Sequence, residues 1–323
     1  YFLIKKLLRF LSLLMVLCVI TFWLMSISPI DPIQAYVGAE IMLVGPEQKQ
    51  QIVDYWGLDR PPVERFQQWL TRVLRGDFGS SMIYRQPVIE VIKDRFLASF
   101  LLMGAAWTLS GCLGFTLGIL GAMKQGTWLD EAIKSYCYTL SCAPTFWIGI
   151  LMLMVFSVRL GWFPIGLGVP SGVLAREVTL SQRIHHLILP ALTLSMTGVA
   201  QVALHTREKL IEVLNSDYIL FARARGEKGL SLLYRHGIRN IALPAITLQF
   251  SSLGELFGGS VLAEQVFSYP GLGQATVQAG LRGDLPLLLA ISIFSAGFIF
   301  TGNLIADLIY QGLDPRIREG RKV

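Results

Sequence analysis

The sequence predicts an all-α integral membrane protein with six transmembrane helices. Three observations carry this fold class. First, 53% of the 323 residues are hydrophobic and only 15% are charged, whereas a soluble domain carries roughly 25% charged residues. Second, the apolar residues gather in long runs, and six of these can cross roughly 30 Å of hydrocarbon. Third, Lys and Arg collect in alternate connecting segments, as the positive-inside rule requires of a multi-pass chain. Mean hydropathy, at +0.54, agrees.

The first span is Phe10–Ile27, uncharged and preceded by Lys5, Lys6 and Arg9. That flank also suits a signal peptide. The run exceeds a usual signal core and no small-x-small cleavage pattern follows, so an anchor is expected. Residues 29–96 are too polar for lipid and too patterned for a linker. Within them Pro61 and Pro62 open a helix, and Val63, Phe66, Leu70, Val73 and Leu74 recur at helical spacing. Gly76 and Asp77 stop it. A small helical cap on the outer surface is expected, with an interfacial helix lying on lipid as the alternative.

The remaining spans are Leu97–Met123, about Ser135–Val158, Leu187–His205, about Ile241–Val266 and Leu287–Tyr310. Pro144 and Pro190 fall inside two of them, which membrane helices tolerate. With the N-terminus inside, segments 1–9, 124–134, 206–240 and the tail after 310 hold 16 of the 28 basic residues. Segments 159–186 and 267–286 hold only 4. In 29–96, 8 basic residues are balanced by 9 acids. Both termini are therefore expected inside, with 29–96 external and 206–240 cytoplasmic, in one domain over 1–323.

The sequence offers little chemistry. It has no G-x-x-x-x-G-K-[ST] phosphate loop, and no nucleophile, base and orienting acid assemble. The chain is expected not to be an enzyme and to bind no cofactor or metal itself. Cys18, Cys112, Cys137 and Cys142 lie in apolar runs and read as small packed residues. His185 and His186 read as an interfacial hydrogen-bonding pair, a metal role being the less favoured alternative.

Acids within apolar runs are more informative, because a charge at bilayer depth must face a cavity or a partner. Glu255, near Gln249, Ser251 and Ser252, reads either as a wall of a translocation path or as an interhelical hydrogen bond. Glu264 and Asp307 are read first as structural. A kink at Pro144, beside Phe146 and Trp147, is a candidate gate, against ordinary aromatic packing.

The passage "DYILFARARGEKGLSLLYRHGIRN", residues 217–240, mixes basic and apolar positions. Helical character over 217–225 ends at Gly226, and Gly229 gives a second turn. Leu230, Leu233 and Ile238 then place apolar groups among charges. Acids share the loop, so nucleic acid is poorly supported. A docking helix for a cytoplasmic protein fits better.

Continued to "IALP", this stretch resembles the cytoplasmic loop of permease subunits in binding-protein-dependent ABC importers. The similarity is to the dipeptide, oligopeptide and nickel group, and it runs along nearly the whole chain. It includes "GLDRPPVERFQQWL", "GDFGSS", "APTFWIGILMLMVFSVRLGWFP", "HLILPALTL", "GELFGGSVLAEQVFSYPGLGQ" and "NLIADLIYQGLDPRIR", in order. Against the family's E-A-A, glycine, I-x-L-P pattern, with Gly226 as the glycine, Leu220 and Phe221 depart and Ala222 matches. His236, Gly237, Ile238 and Arg239 depart as well.

These departures, with Arg239-Asn240 where the other subunit type has "PN", resemble the first, B-type member of an unequal permease pair. The resemblance implies a type I ABC importer permease fold in the bacterial inner membrane. It implies a second, non-identical permease, two ATPase subunits carrying ATP and Mg, and an external binding protein. It also implies coupling to the ATPases through Ala222, Gly226, Leu230, Leu233, Tyr234, Arg235 and His236. The expected cargo is peptides, nickel or metal chelates. The competing expectation is a proton- or ion-coupled carrier using Glu255 and Asp307.

Overall fold

Proline and glycine decide where the long apolar runs form one helix and where they form two. The computed structural model describes residues 2–27, 45, 47, 50, 53, 59–170, 172–173 and 177–313. The side chains of Leu230 and of residues 310–313, together with most of 28–58 and the tail from 314, lie outside the described residues. The described elements are helical apart from one isolated bridge, Ser80 to Pro87. Among the described residues four helices are long and apolar enough to cross a membrane: Ile4–Ile27, Val88–Met123, Leu180–Leu214 and Leu285–Ile309. Two bent pairs raise the count to as many as six.

Two compact units form, one from residues 1–98 and 270–300, the other from 99–269 and 301–323. In the first, α1 (Phe2–Ile27) leaves most of its apolar side chains exposed, as a lipid-facing helix does. The short helix α2 (Pro62–Leu74) has Pro at its first turn and ends at Gly76, whose φ is +84°. Its Phe66 packs edge-on to Phe22 of α1, with ring centroids 5.2 Å apart. The expected apolar face is only partly used. Phe66, Trp69, Leu70 and Val73 are partly covered, whereas Val63 and Leu74 remain exposed, because the helix meets α1 along a narrow line.

The same unit closes its core between α3 (Val88–Met123), α11 (Leu272–Arg282) and α12 (Leu285–Leu313). Val88, Val91 and Ile92 meet Leu272, Ala275, Leu287 and Ile291 there. Buried Asp284 begins α12, accepting from Ser81 Oγ at 2.5 Å and from the backbone N–H groups of Ile83 and Leu287. Burial pushes its carboxyl above the ordinary value, against the pull of those bonds.

In the second unit α3 lies directly against α6 (Leu180–Leu214). A methyl group at Gly114 would stand 2.9 Å from the Val199 carbonyl oxygen, and one at Gly118 2.6 Å from that of Ala203. Only glycine permits that approach of backbones. A capping box starts α6: Gln182 N–H donates to Thr179 Oγ1, and Thr179 N–H donates to Gln182 Oε1.

The third expected span is not one kinked helix. Helices α4 (Trp128–Cys142) and α5 (Thr145–Met152) meet at 108°, and a π-helical turn, Leu153–Arg159, continues α5. Pro144 has no N–H and forces Ala143 into an extended conformation, with ψ 129°. Pro190 does not break α6; it is buried between buried Leu189 and Ala191, which hold the helix in place. The fifth expected span also divides, into α9 (Ile238–Ser251) and α10 (Leu253–Val266), bent by 51° at Ser252. At that bend the Gln249 carbonyl accepts the Trp107 indole N–H at 2.9 Å and the Ser252 hydroxyl at 3.0 Å.

Candidate functional site

The 217–240 stretch folds as a two-helix corner. Ser216 precedes α7 (Asp217–Ala224), which ends as a Schellman turn: Gly226 N–H reaches the Arg223 carbonyl and Glu227 N–H that of Ala222. Gly226 has φ +92°, a conformation that costs any residue with a Cβ about 1 kcal/mol. The chain then turns into α8 (Gly229–Leu232) and a π-helical turn, Leu233–Gly237. Single π turns of this kind recur at functional sites.

The corner has an inner and an outer side. Ile219, Ala222 and Leu232 are buried against Val213 and Leu214. Leu233 is buried with Ala122 of α3, Leu210 of α6 and Ile241 of α9. Outward stand Leu220, Phe221, 74% exposed, and Tyr234, 69% exposed. Arg235 Nη1 lies 3.5 Å from Glu227, and His236 Nε2 lies 3.3 Å from the same carboxylate. Asn240 Nδ2 donates to Tyr218 Oη and to the His236 carbonyl.

The residues expected to couple thus divide. Gly226, Tyr234 and Arg235 are exposed and His236 half-buried, whereas Ala222 and Leu233 are internal. Leu233 is therefore no free docking group, because its side chain fills the chain's own core. Leu230's side chain lies outside the described residues. Leu220 and Phe221 were legible only as departures from a family pattern, although their spacing relative to buried Ile219 and Ala222 marks the outer face.

The α6 stem of this corner is clamped. Arg207 donates from Nε and Nη2 to the two carboxylate oxygens of Asp130 at 2.6 and 2.7 Å, and Gly126 N–H adds a third bond at 3.0 Å. Asp130 is fully buried at the start of α4. Sequence reading missed this pair, because nothing local links positions 77 apart.

The polar groups of the apolar spans also sort by geometry. Glu264 is fully buried and accepts from Ser99 Oγ at 2.6 Å, matching its structural reading. Asp307 is half-buried on α12. Gln249 is buried and turned to α3, donating to the Trp107 carbonyl and to Ser110 Oγ. Glu255, by contrast, is exposed on α10 and accepts from Gln201 Nε2 of α6 at 2.9 Å.

Below that pair a cavity of about 430 Å³ is lined by His205, Lys209, Pro244, Thr247, Leu248 and Ser251. Ser251 is exposed and Ser252 half-buried at the α9–α10 bend, and Pro144 and Phe146 are exposed at the α4–α5 break. His185 Nε2 lies 2.8 Å from the Trp162 carbonyl oxygen, and His186 Nδ1 lies 2.9 Å from that of Leu167. Cys18 and Cys137 are packed, whereas Cys112 and Cys142 are exposed. Among the described residues no three His, Cys, Asp or Glu side chains gather as a metal site.

Comparison with known proteins names the family. Residues 114–319 match the family described as "Binding-protein-dependent transport system inner membrane component", and residues 1–103 match the N-terminal family of the same membrane components. The oligopeptide transport system permease protein AppB of Bacillus subtilis is 36% identical over 317 residues, covering 98% of both chains. The glutathione transport system permease protein GsiC of Salmonella choleraesuis is 33% identical over 322 residues, again covering 98% of both. Among solved structures, the MetNI methionine ABC transporter in inward-facing conformations aligns with 97% of its chain and 70% of this one. Its TM-score is 0.57 at 13% identity, a likeness of fold. The chain belongs to the inner-membrane components of binding-protein-dependent transport systems, as a multi-pass permease of the ABC importers in their peptide and nickel group.

Proposed function

We propose that this chain is the first, B-type permease of an unequal pair and forms half of a translocation path for peptides, with nickel or metal chelates as the narrower alternative cargo. Peptide cargo is supported by what the relatives' names state of those proteins. Six spans with both termini inside put residues 29–96 outside and 206–240 in the cytoplasm, in accord with the distribution of basic residues. An external binding protein delivers cargo, and two separate ATPase subunits hold ATP and Mg. The binding-protein-dependent family speaks against the ion-coupled carrier.

One observation carries the coupling assignment. The corner at 217–237 fixes its inner side in the chain's core and leaves Phe221 and Tyr234 outward with basic neighbours. An exposed apolar face on a rigid base is what a partner protein grips. Nucleotide-driven movement of the ATPases pushes on the Gly226–His236 segment. The α6 stem, clamped by Asp130 and Arg207, carries the push into the spans and biases a two-state path. The path runs along Ser251, Ser252 and Glu255, with Gln249 holding α9 to α3 and the Pro144–Phe146 break as a second movable point.

In proteoliposomes holding the importer, Phe221→Asp and Tyr234→Asp should leave the permease's own membrane insertion and thermal stability unchanged, because both side chains are exposed. ATP-driven uptake should fall at least tenfold. Uptake at the unsubstituted rate in both variants would refute the assignment.

A further inference from the structure

Two stripes of polar side chains run side by side at helical spacing, Gln201 and His205 on α6, Thr247, Ser251 and Glu255 on α9 and α10. They meet where Gln201 Nε2 donates to Glu255 Oε2, and the cavity below is lined by His205, Thr247 and Ser251. The hydroxyl protons are already used: Thr247 donates to the Leu243 carbonyl at 3.0 Å and Ser251 to that of Leu248 at 2.9 Å. Lys209 also lines the cavity, its ammonium already donating to Glu212 at 2.7 Å, and beside Glu255 the polar groups left over are acceptors: hydroxyl lone pairs, the Gln201 amide oxygen and the remaining lone pairs of a carboxylate. Among the described residues Glu255 makes no ion pair, and it is exposed in a segment of membrane-spanning composition. A charge so placed calls for a cation that comes and goes with the cargo.

We infer that Glu255, held by Gln201, is the point of the path that reads the protonated amino terminus of a peptide. This rests on the reading of Glu255 as a path residue. An alkylammonium brings three donors and one positive charge, matching a carboxylate, an amide oxygen and a hydroxyl. An N-acylated peptide lacks the charge and has one N–H there instead.

The test is labelling of Glu255 by a hydrophobic carbodiimide in the assembled importer, read by mass spectrometry of the 253–266 segment, with Glu255→Gln as the unlabelled control. Trialanine should reduce labelling several-fold, and N-acetyl-trialanine should not. Equal protection by both peptides overturns the inference and leaves Glu255 lining the path without reading charge. Protection by neither, or a carboxyl group that the reagent never reaches, overturns the inference and the path reading together. The last outcome is also that expected if the second permease covers the pair.

Discussion

Within the corner at 217–237, neighbours in sequence have opposite roles. Leu233 and Tyr234 are adjacent, yet one is 4% exposed and the other 69%. Ile219 and Ala222 lie three apart and point inward, while Leu220 and Phe221 between them point outward. All but Ala222 are large and apolar, so hydrophobicity alone does not separate core from exposed face. Helical phase does, once a single inward residue is fixed. The inner side belongs to folding, and the outer side is the one proposed to meet the ATPases.

Three substitutions break or sharpen that division, in decreasing order of effect. Leu233→Asp puts an unpaired charge among Ala122, Leu210 and Ile241, at a cost of more than about 4 kcal/mol. The chain should fail to assemble in the membrane, whereas Tyr234→Asp one residue on assembles normally. Equal yields of the two would erase the distinction.

Asp130→Ala removes the acceptor of both Arg207 bonds and leaves a mostly buried guanidinium unpaired. A loss of about 3–5 kcal/mol is expected, read as a large drop in the complex's thermal midpoint. A midpoint within error of the unsubstituted complex would show that α6 needs no clamp.

Gly226→Ala meets no atom within 4 Å, so only backbone strain opposes it. The expected cost is about 1 kcal/mol. Uptake should fall more than this stability loss explains if the turn between α7 and α8 carries the proposed push. A change in stability alone would confine Gly226 to folding.

Much of this was legible in the sequence. The long apolar runs, the glycine corner and its basic and apolar mixture all follow from local composition and period. The fates of the prolines did not. Pro144, exposed, separates two helices at 108°, while Pro190, buried, lies within a 35-residue helix. The ring is identical in both; the packing around it decides. Gln249 and Glu255 likewise read alike as polar groups in one span, yet one is bonded to α3 and the other stands exposed beside Gln201.

The sequence by itself determined a helical, multi-pass permease with a glycine corner of mixed basic and apolar surface, because hydropathy, charge placement and a left-handed glycine act on the residues that carry them. The tertiary structure alone decided that Leu233 serves the core, that Asp130 clamps Arg207, and that Glu255 stands exposed beside Gln201. Each of these depends on a partner far away in the chain. Burial and pairing are properties of two surfaces in contact, and no single stretch of sequence contains both.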